Sequence, residues 1–131
     1  MKKFNDVKKL PEFEKEFNKL LKKFQSLEED LETFIDKQLV LYHKLNIDNG
    51  GVVQIADLGI ENPKIYKARK FACRALKGRG VQSGIRIIYA YFPDEDIIEF
   101  VEIYFKADTE NEDRGRIKQH YLKQGKANGS I

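Results

Sequence analysis

Residues 85–105, IRIIYAYFPDEDIIEFVEIYF, decide the fold of this chain. The segments 85–92 and 97–105 are dense in β-branched and aromatic residues, which favour strands. The four residues 93–96, PDED, have the composition of a turn, so the stretch predicts an antiparallel hairpin. Because apolar residues occupy consecutive positions, we expect two central strands that are covered on both faces of a sheet.

Two helices are predicted upstream of this hairpin. The first follows Pro11 and carries apolar residues at helical spacing from Phe13 to Phe24. Ser26-Leu27-Glu28-Glu29 then predicts a capping box that starts a longer second helix, which should end within residues 46–51. The short link favours an antiparallel helical hairpin, and its apolar faces need a sheet to cover them.

The remaining segments predict smaller elements. Residues 52–55 are compatible with a short strand or a loop, residues 64–74 have strand composition, and residues 77–84 are a glycine-rich loop. A polar helix should run from about 108 to 122. The predicted fold is an α+β domain over residues 1–123, with a small twisted, mainly antiparallel sheet, and residues 124–131 are expected to be a disordered tail.

The composition limits the classes of protein to which this chain can belong. A chain of 131 residues with 41% apolar and 34% charged residues is expected to form one globular domain. The amino-terminal residues lack the apolar run of a secretory signal, and no window reaches the length of a membrane span. Cys73 is the lone cysteine, so no intramolecular disulfide can form. These features predict a protein of the reducing cytoplasm.

Charge is unevenly distributed along the chain. Residues 62–93 contain eight cations and no acid, whereas residues 94–113 contain nine acids and only one cation. Every arginine lies after residue 60, and the planar guanidinium group suits bidentate binding of phosphate. We therefore expect a basic surface that binds nucleic acid, beside a separate acidic surface.

Several motifs in this order resemble the RelE/ParE superfamily of toxins from toxin–antitoxin modules, near its RelE and HigB branches. The resemblance covers most of residues 10–122, and no single motif is specific by itself. The motifs are Phe13-Glu14-Lys15-Glu16-Phe17-Asn18-Lys19-Leu20, Ser26-Leu27-Glu28-Glu29-Asp30-Leu31, Ile65-Tyr66-Lys67-Ala68-Arg69, Gly78-Arg79-Gly80, Ser83-Gly84-Ile85-Arg86-Ile87-Ile88-Tyr89 and Ile103-Tyr104-Phe105-Lys106-Ala107-Asp108.

The resemblance implies a helical hairpin packed on a twisted sheet with a basic concave face. It also implies a translation inhibitor that cleaves messenger RNA on the ribosome without cofactor or metal, and a cognate antitoxin that silences it. Two alternatives stay open: a gyrase-targeting toxin of the ParE type, and a non-catalytic adaptor that only contacts protein. Codon preference and oligomeric state also stay open.

Three cations are the main catalytic candidates. Lys67 and Arg69 are two positions apart, so on one strand both side chains point to the same face. Lys67 could act as a base if crowding by Arg69 and Arg86 favoured loss of its proton. Arg86 matches the arginine of the family's Ser-Gly-x-Arg motif, which the resemblance implies binds the scissile phosphate.

Other residues are candidates for supporting roles. His120 and Tyr121 could stack a base or supply an acid, although they lie further beyond the last strand than in the family, and Tyr121 also suits helix packing. Cys73 is expected to be a buried thiol, and two histidines with one cysteine predict no metal site. The expected RNA-binding cations are Lys64, Lys70, Arg74, Lys77, Arg79 and Lys106.

Strand register decides which side chains share a face. If the turn pairs Phe92 with Ile97, then Arg86 lies opposite Ile103 and Glu102 points to the other face. A slip of one residue would reverse that arrangement.

Overall fold

A computed structural model describes the backbone of residues 3–129 and the side chains of residues 3–122. A five-stranded sheet lies between two helical layers. The elements in chain order are β1 (Asp6–Lys9), α1 (Pro11–Leu21), α2 (Leu27–Phe34), a wide π-type helix (Ile35–Lys44), β2 (Val52–Gln54), β3 (Lys64–Ala68), β4 (Ile85–Phe92), β5 (Ile97–Phe105) and α3 (Arg114–Gly129).

The sheet has the strand order β1-β5-β4-β3-β2. Strands β2 to β5 pair antiparallel, which confirms the hairpin of β4 and β5, while β1 pairs parallel with β5. The sequence did not predict β1, because its four residues are mostly charged and only pairing with β5 makes them a strand. The α+β class is confirmed, with a mixed sheet.

Both faces of the sheet are covered, as the apolar composition of β4 and β5 predicts. Helices α1 and α2 pack their apolar sides on one face, which we call the helical face, where Phe13 stacks on Phe17 and Phe100. Helix α3 and the segment around Leu58 cover the other face, called here the α3 face, where Ile117 is completely buried. The antiparallel arrangement of the first two helices stays a prediction.

A β-bulge on β5 changes the predicted register. Phe92 does lie opposite Ile97, but the pairing shifts between Ile88 and Tyr89. Arg86 therefore lies opposite Tyr104 and not opposite Ile103. Glu102 also lies on the α3 face with Arg86, because the extra residue of a bulge shifts the alternation of the strand.

The predicted capping box at Ser26 is wrong. The Ser26 hydroxyl donates to the Asp30 carboxylate at 2.6 Å and accepts a bond from the amide of Ala75 at 2.8 Å. Asp30 also accepts from the amide of Arg74 at 3.2 Å. These bonds tie residues 74 and 75 to the start of α2, so the polar side chains stabilise a distant segment and not the helix end.

Two boundaries differ from the sequence predictions. Strand β3 ends at Ala68, and the residues that follow form irregular backbone up to β4, although residues 69–74 have strand composition. Helix α3 begins at Arg114, later than the predicted start. The predicted tail at residues 124–131 falls beyond the last described side chain and stays a prediction. Within the described residues, no helix is both long and apolar enough to span a membrane.

Candidate nucleic-acid interface

The backbone around Ser83 fixes the start of β4. Its buried hydroxyl donates to the carbonyl of Phe71 and accepts from the amide of Ile85. Gly84 follows with a φ of 84°, a conformation that glycine adopts without strain. A side chain at Gly84 would also approach the ring of Phe105 at 3.3 Å. The Ser-Gly pair thus positions Arg86 on rigid backbone.

Arg86 and Arg69 lie side by side at the end of the sheet where β4 begins. Arg86 donates from Nη1 to the carbonyl of Arg69 at 3.2 Å, and Arg69 donates from Nη2 to the carbonyl of Gly50 at 3.2 Å. Neither guanidinium forms an ion pair within the described part of the chain. Both therefore keep charge available for an external anion.

The prediction that Lys67 and Arg69 occupy one strand is wrong. Lys67 lies within β3, but Arg69 follows the last residue of that strand and is held by the turn at Gly50. Lys67 pairs with Ile88 across the sheet, so it shares the α3 face with Arg86. The three cations thus border one end of the sheet, although through different elements.

Lys67 is paired with an acid that lies 45 residues away in the sequence. Its Nζ donates to Oε1 of Glu112 at 2.9 Å. Burial lowers the pKa of Lys67, but hydrogen bonds and charge from Glu112 and Tyr104 outweigh burial, and the net shift is upward. Lys67 is therefore held protonated, which argues against the predicted role as a base.

Glu112 connects the polar groups at this end of the α3 face. The hydroxyl of Tyr104 donates to Glu112 Oε1 at 3.5 Å, and Arg114 approaches Oε2 at 4.0 Å. Burial raises the pKa of Glu112, but the bond and charge of Lys67 outweigh it and make the net shift downward. Glu112 is an ionised carboxylate that lies over a basic strand, so part of the predicted acidic surface folds back onto the basic one.

The segment that carries Glu112 is anchored beside it. The amide of Asp113 donates to Oε1 of the buried Glu102 at 2.9 Å. Burial raises the pKa of Glu102 above the ordinary value for a glutamate, against the opposing effects of this amide and of Arg116. Arg116 in turn contacts Glu16 of α1 at 2.9 Å. These bonds fix the start of α3 on the sheet.

The structure does not bring His120 and Tyr121 to this site. Tyr121 is buried and donates to Glu99 Oε1 at 2.7 Å, and burial followed by that bond raises its pKa far above the ordinary value. His120 Nε2 lies 3.8 Å from the same carboxylate oxygen. Glu99 is five residues before Tyr104 on β5, about 17 Å along the strand.

The six predicted RNA-binding cations are scattered. Lys70 donates to the carbonyl of Asn49 at 2.8 Å, and Arg79 donates to the carbonyl of Ser83 at 3.3 Å. Arg74 forms ion pairs with Glu29 and Asp30 of α2. Exposed Lys77 lies in the loop after Cys73, exposed Lys106 follows the end of β5, and Lys64 begins β3 at the opposite end of the sheet from Arg86.

The lone cysteine is buried, as predicted. Burial raises the pKa of the Cys73 thiol, which lies 3.7 Å from the Ser26 hydroxyl. The described residues contain no group of three or more histidine, cysteine or acidic side chains that could hold a metal ion.

Sequence reasoning missed Tyr104 and Glu112 as members of this cluster. Tyr104 belongs to the motif at residues 103–108, but its apolar neighbours favour a core role. Glu112 lies in a run of acids that gives no sign of folding back over β3. A run of acids that directly follows the last strand is the signal that could have suggested such a contact.

The sequence matches no known family model and no curated protein. Among solved structures, the chain is similar to the archaeal RelE–RelB complex from Pyrococcus horikoshii OT3. That alignment has 16% sequence identity and a TM-score of 0.47, and it covers 77% of this chain and 93% of the other.

Proposed function

We propose that this protein is the toxin of a type II toxin–antitoxin module and inhibits translation by cleaving messenger RNA on the ribosome. The observation that supports it best is the pair of arginines, Arg69 and Arg86, which form no ion pair within the described residues and lie beside the Lys67–Glu112 pair. Cations positioned on rigid backbone are what a developing phosphate charge requires. The motif resemblance supports the same function.

The cleavage that this arrangement suits is attack of the ribose 2′-oxygen on the adjacent phosphorus. A base takes the 2′-hydroxyl proton, the bond from phosphorus to the 5′-oxygen breaks, and an acid protonates that leaving oxygen. The products are a 2′,3′-cyclic phosphate and a 5′-hydroxyl. Arg86 and Arg69 would hold the non-bridging oxygens, whose charge grows during the reaction.

We assign the base to Glu112 and the acid to Lys67, which reverses the role expected for Lys67 from the sequence. Glu112 is held ionised and Lys67 is held protonated by their mutual contact, so each has the protonation state that its role requires. Substrate has to displace part of this pair, since the two groups bond each other at 2.9 Å.

A second candidate is a protein-binding role without catalysis, either as an adaptor or as a gyrase-targeting toxin. The contact between Lys67 and Glu112 favours it, because a charge pair can simply stabilise the fold. The two functions differ in what Glu112 does. Loss of a purely structural carboxylate should lower stability alone, whereas loss of a base should also lower cleavage by the folded protein.

The test is to express the chain alone from a tightly controlled promoter and to follow growth, protein synthesis and the 5′ ends of cellular messages. The proposal expects arrested translation and new 5′-hydroxyl ends that depend on ribosomes. Glu112→Gln should lower cleavage by about a hundredfold or more at unchanged solubility, the usual effect of losing a general base. Arrest with intact messages and inhibited gyrase would instead establish the second candidate.

A cognate antitoxin is the expected partner. We expect it to dock an amphipathic helix or an added strand with acidic residues against the basic surface. Co-expression of a small acidic protein encoded next to this gene should restore growth. A neighbouring gene product that neither binds the purified chain nor restores growth would contradict the toxin–antitoxin assignment.

A further inference from the structure

An open pocket lined by aromatic rings lies on the helical face, at the opposite end of the sheet from Arg86. Its volume is about 380 Å³, within the usual range for sites that bind small ligands. The π-type helix, the following loop, β3 and the end of β4 supply the lining residues, which are Tyr42, His43, Asn46, Asp48, Lys64, Tyr66, Tyr91 and Pro93.

The rings of this pocket hold one another at fixed angles. Tyr42 meets His43 and Tyr66 nearly edge to face, with ring centres 4.9 and 5.7 Å apart. His43 lies at a tilt over Tyr91 with ring centres 4.3 Å apart. The hydroxyl of the buried Tyr89 is 2.8 Å from His43 Nε2 and fixes the imidazole. Such walls suit a flat ligand that packs on ring faces.

The imidazole of His43, which lines this pocket, is uncharged at neutral pH. Burial first, and then the neighbouring Lys44, lower the pKa of His43 to about 4, against the opposing effect of Asp96. Burial raises the pKa of Tyr66, and it raises the pKa of Tyr91 to about 12 with help from a bond to Asp96. The rings of His43, Tyr66 and Tyr91 are therefore neutral at physiological pH, which favours stacking on a neutral heterocycle.

Three of the polar side chains that line the pocket are exposed, namely those of Asn46, Asp48 and Lys64. Asn46 and Asp48 follow the π-type helix, and Asn46 has a φ of 55°, which turns the chain at that point. Lys64 is exposed at the start of β3, where it pairs in register with Tyr91. A carboxylate and an amide can bond to the edge of a base, while an ammonium group can bind a phosphate.

We propose that this pocket binds a nucleotide, with its base on the partly exposed ring of Tyr42, its hydrogen-bonding edge at Asn46 and Asp48, and its phosphate at Lys64. Guanine is the preferred base, because two N–H groups on one edge match a carboxylate acceptor. The site goes beyond the proposed cleavage and does not depend on it, since Arg86 lies on the other face of the sheet.

The test is a nuclear magnetic resonance titration of the whole chain with GMP, AMP, CMP, UMP and ribose 5-phosphate. We expect saturable shifts of the Tyr42 and Tyr66 ring signals, with GMP tightest and ribose 5-phosphate weakest. Tyr42→Leu should weaken GMP binding about tenfold, because stacking on one ring contributes that much. Asp48→Asn keeps the turn acceptor for the Gly50 amide and should abolish the preference for GMP over AMP.

Two lysine variants test whether GMP binding depends on Lys64 itself or only on the overall positive charge of the protein. Lys64→Ala should weaken binding of GMP several-fold and leave guanosine unaffected, whereas Lys15→Ala, an exposed lysine of α1, should change neither. The ring signals of Tyr42 and Tyr66 report this pocket, whereas a cleavage assay reports Arg86 on the other face of the sheet, so failure of the cleavage mechanism and failure of this site are distinguishable. A short guanine-containing RNA that binds more tightly than GMP, with the same variant effects, would identify RNA as the ligand source, and equal affinities would identify a free nucleotide.

Two results would overturn the proposal. One is an absence of saturable shifts at Tyr42 and Tyr66 up to millimolar nucleotide. The other is equal binding of ribose 5-phosphate and GMP, since the base would then contribute nothing.

Discussion

The two faces of strand β4 are built from alternating residues, yet they serve different purposes. On the helical face Ile85, Ile87 and Tyr89 are all fully buried among the aromatic side chains of the core. On the α3 face Ile88 and Ala90 are equally buried, but Arg86 is left at the end that α3 does not cover. The buried residues of α3, Ile117 and Tyr121, belong to the same apolar cluster as Ile88 and Ala90, which lie further along the strand than Arg86.

This contrast shows that charged functional side chains can lie at the end of the α3 face that α3 leaves uncovered. The helical face provides the rigidity, since rings such as Phe13 and Phe100 interlock across it. The uncovered end of the α3 face provides solvent access for Arg86, beside the largely buried Lys67–Glu112 pair. Cavities in the helical face should lower stability most, whereas replacing Arg86 at the uncovered end of the α3 face should alter function at nearly constant stability.

The largest expected effect is the loss of an aromatic side chain from the helical face. Phe100→Ala should lower the free energy of unfolding by about 3–5 kcal/mol, because it leaves a cavity between stacked rings. Val101→Ala, at the bulge on the α3 face, should lower it by only about 2 kcal/mol. Urea unfolding of both variants is the measurement, and equal losses would contradict the proposed difference between the faces.

Arg86 should show the opposite behaviour. Arg86→Ala should reduce ribosome-dependent cleavage by about a hundredfold or more, because a positioned charge donor is lost, while the unfolding midpoint stays nearly constant. Arg86→Lys should restore part of the activity, since an ammonium cannot bond two phosphate oxygens in a plane. Lys15→Ala, at an exposed position of α1, serves as the control for loss of a surface cation. Full cleavage by Arg86→Ala at equal protein levels would remove Arg86 from the site.

His43 makes the helical face sensitive to acid. Its pKa falls from an ordinary 6.5 to about 4 on folding, so the unfolded chain takes up the proton first as pH decreases. The contribution of His43 to stability is present above pH 6.5 and is lost as pH falls from 6.5 to 4. The loss should be about 2 kcal/mol, below the full linkage value because the ring is only partly buried.

The measurement for His43 is urea unfolding at a series of pH values between 7 and 4. His43→Asn should be less stable at pH 7 and should lose less stability on acidification than the parent chain. Parallel profiles for the two proteins would show that His43 keeps its ordinary pKa.

The smallest expected effect concerns RNA binding at the α3 face. Glu112→Gln removes a negative charge from Lys67, so affinity for single-stranded RNA should rise several-fold at low salt even as cleavage falls. Affinity of both proteins should decrease steeply with salt. Filter binding across a salt series measures this, with Glu110→Gln as a control in the same segment. Equal gains for both variants would mean that only net charge matters.

Local composition was sufficient to predict the strands β4 and β5, the helix after Pro11 and the buried Cys73. Each of these depends on the pattern of neighbouring side chains, which a sequence displays directly. Arg86 could also be singled out, because it interrupts a dense apolar strand beside a Ser-Gly pair.

The contacts that define the two sites are decided only by the tertiary structure. Lys67 and Glu112 are 45 residues apart, and His43 and Tyr89 are 46 residues apart. The bulge on β5 moves Arg86 opposite Tyr104, and no local pattern specifies that shift. The sequence therefore determined which segments become strands and helices, because propensity acts over a few residues. Chain folding alone decided which charges meet, because a pKa or an ion pair depends on atoms that only the packed sheet brings together.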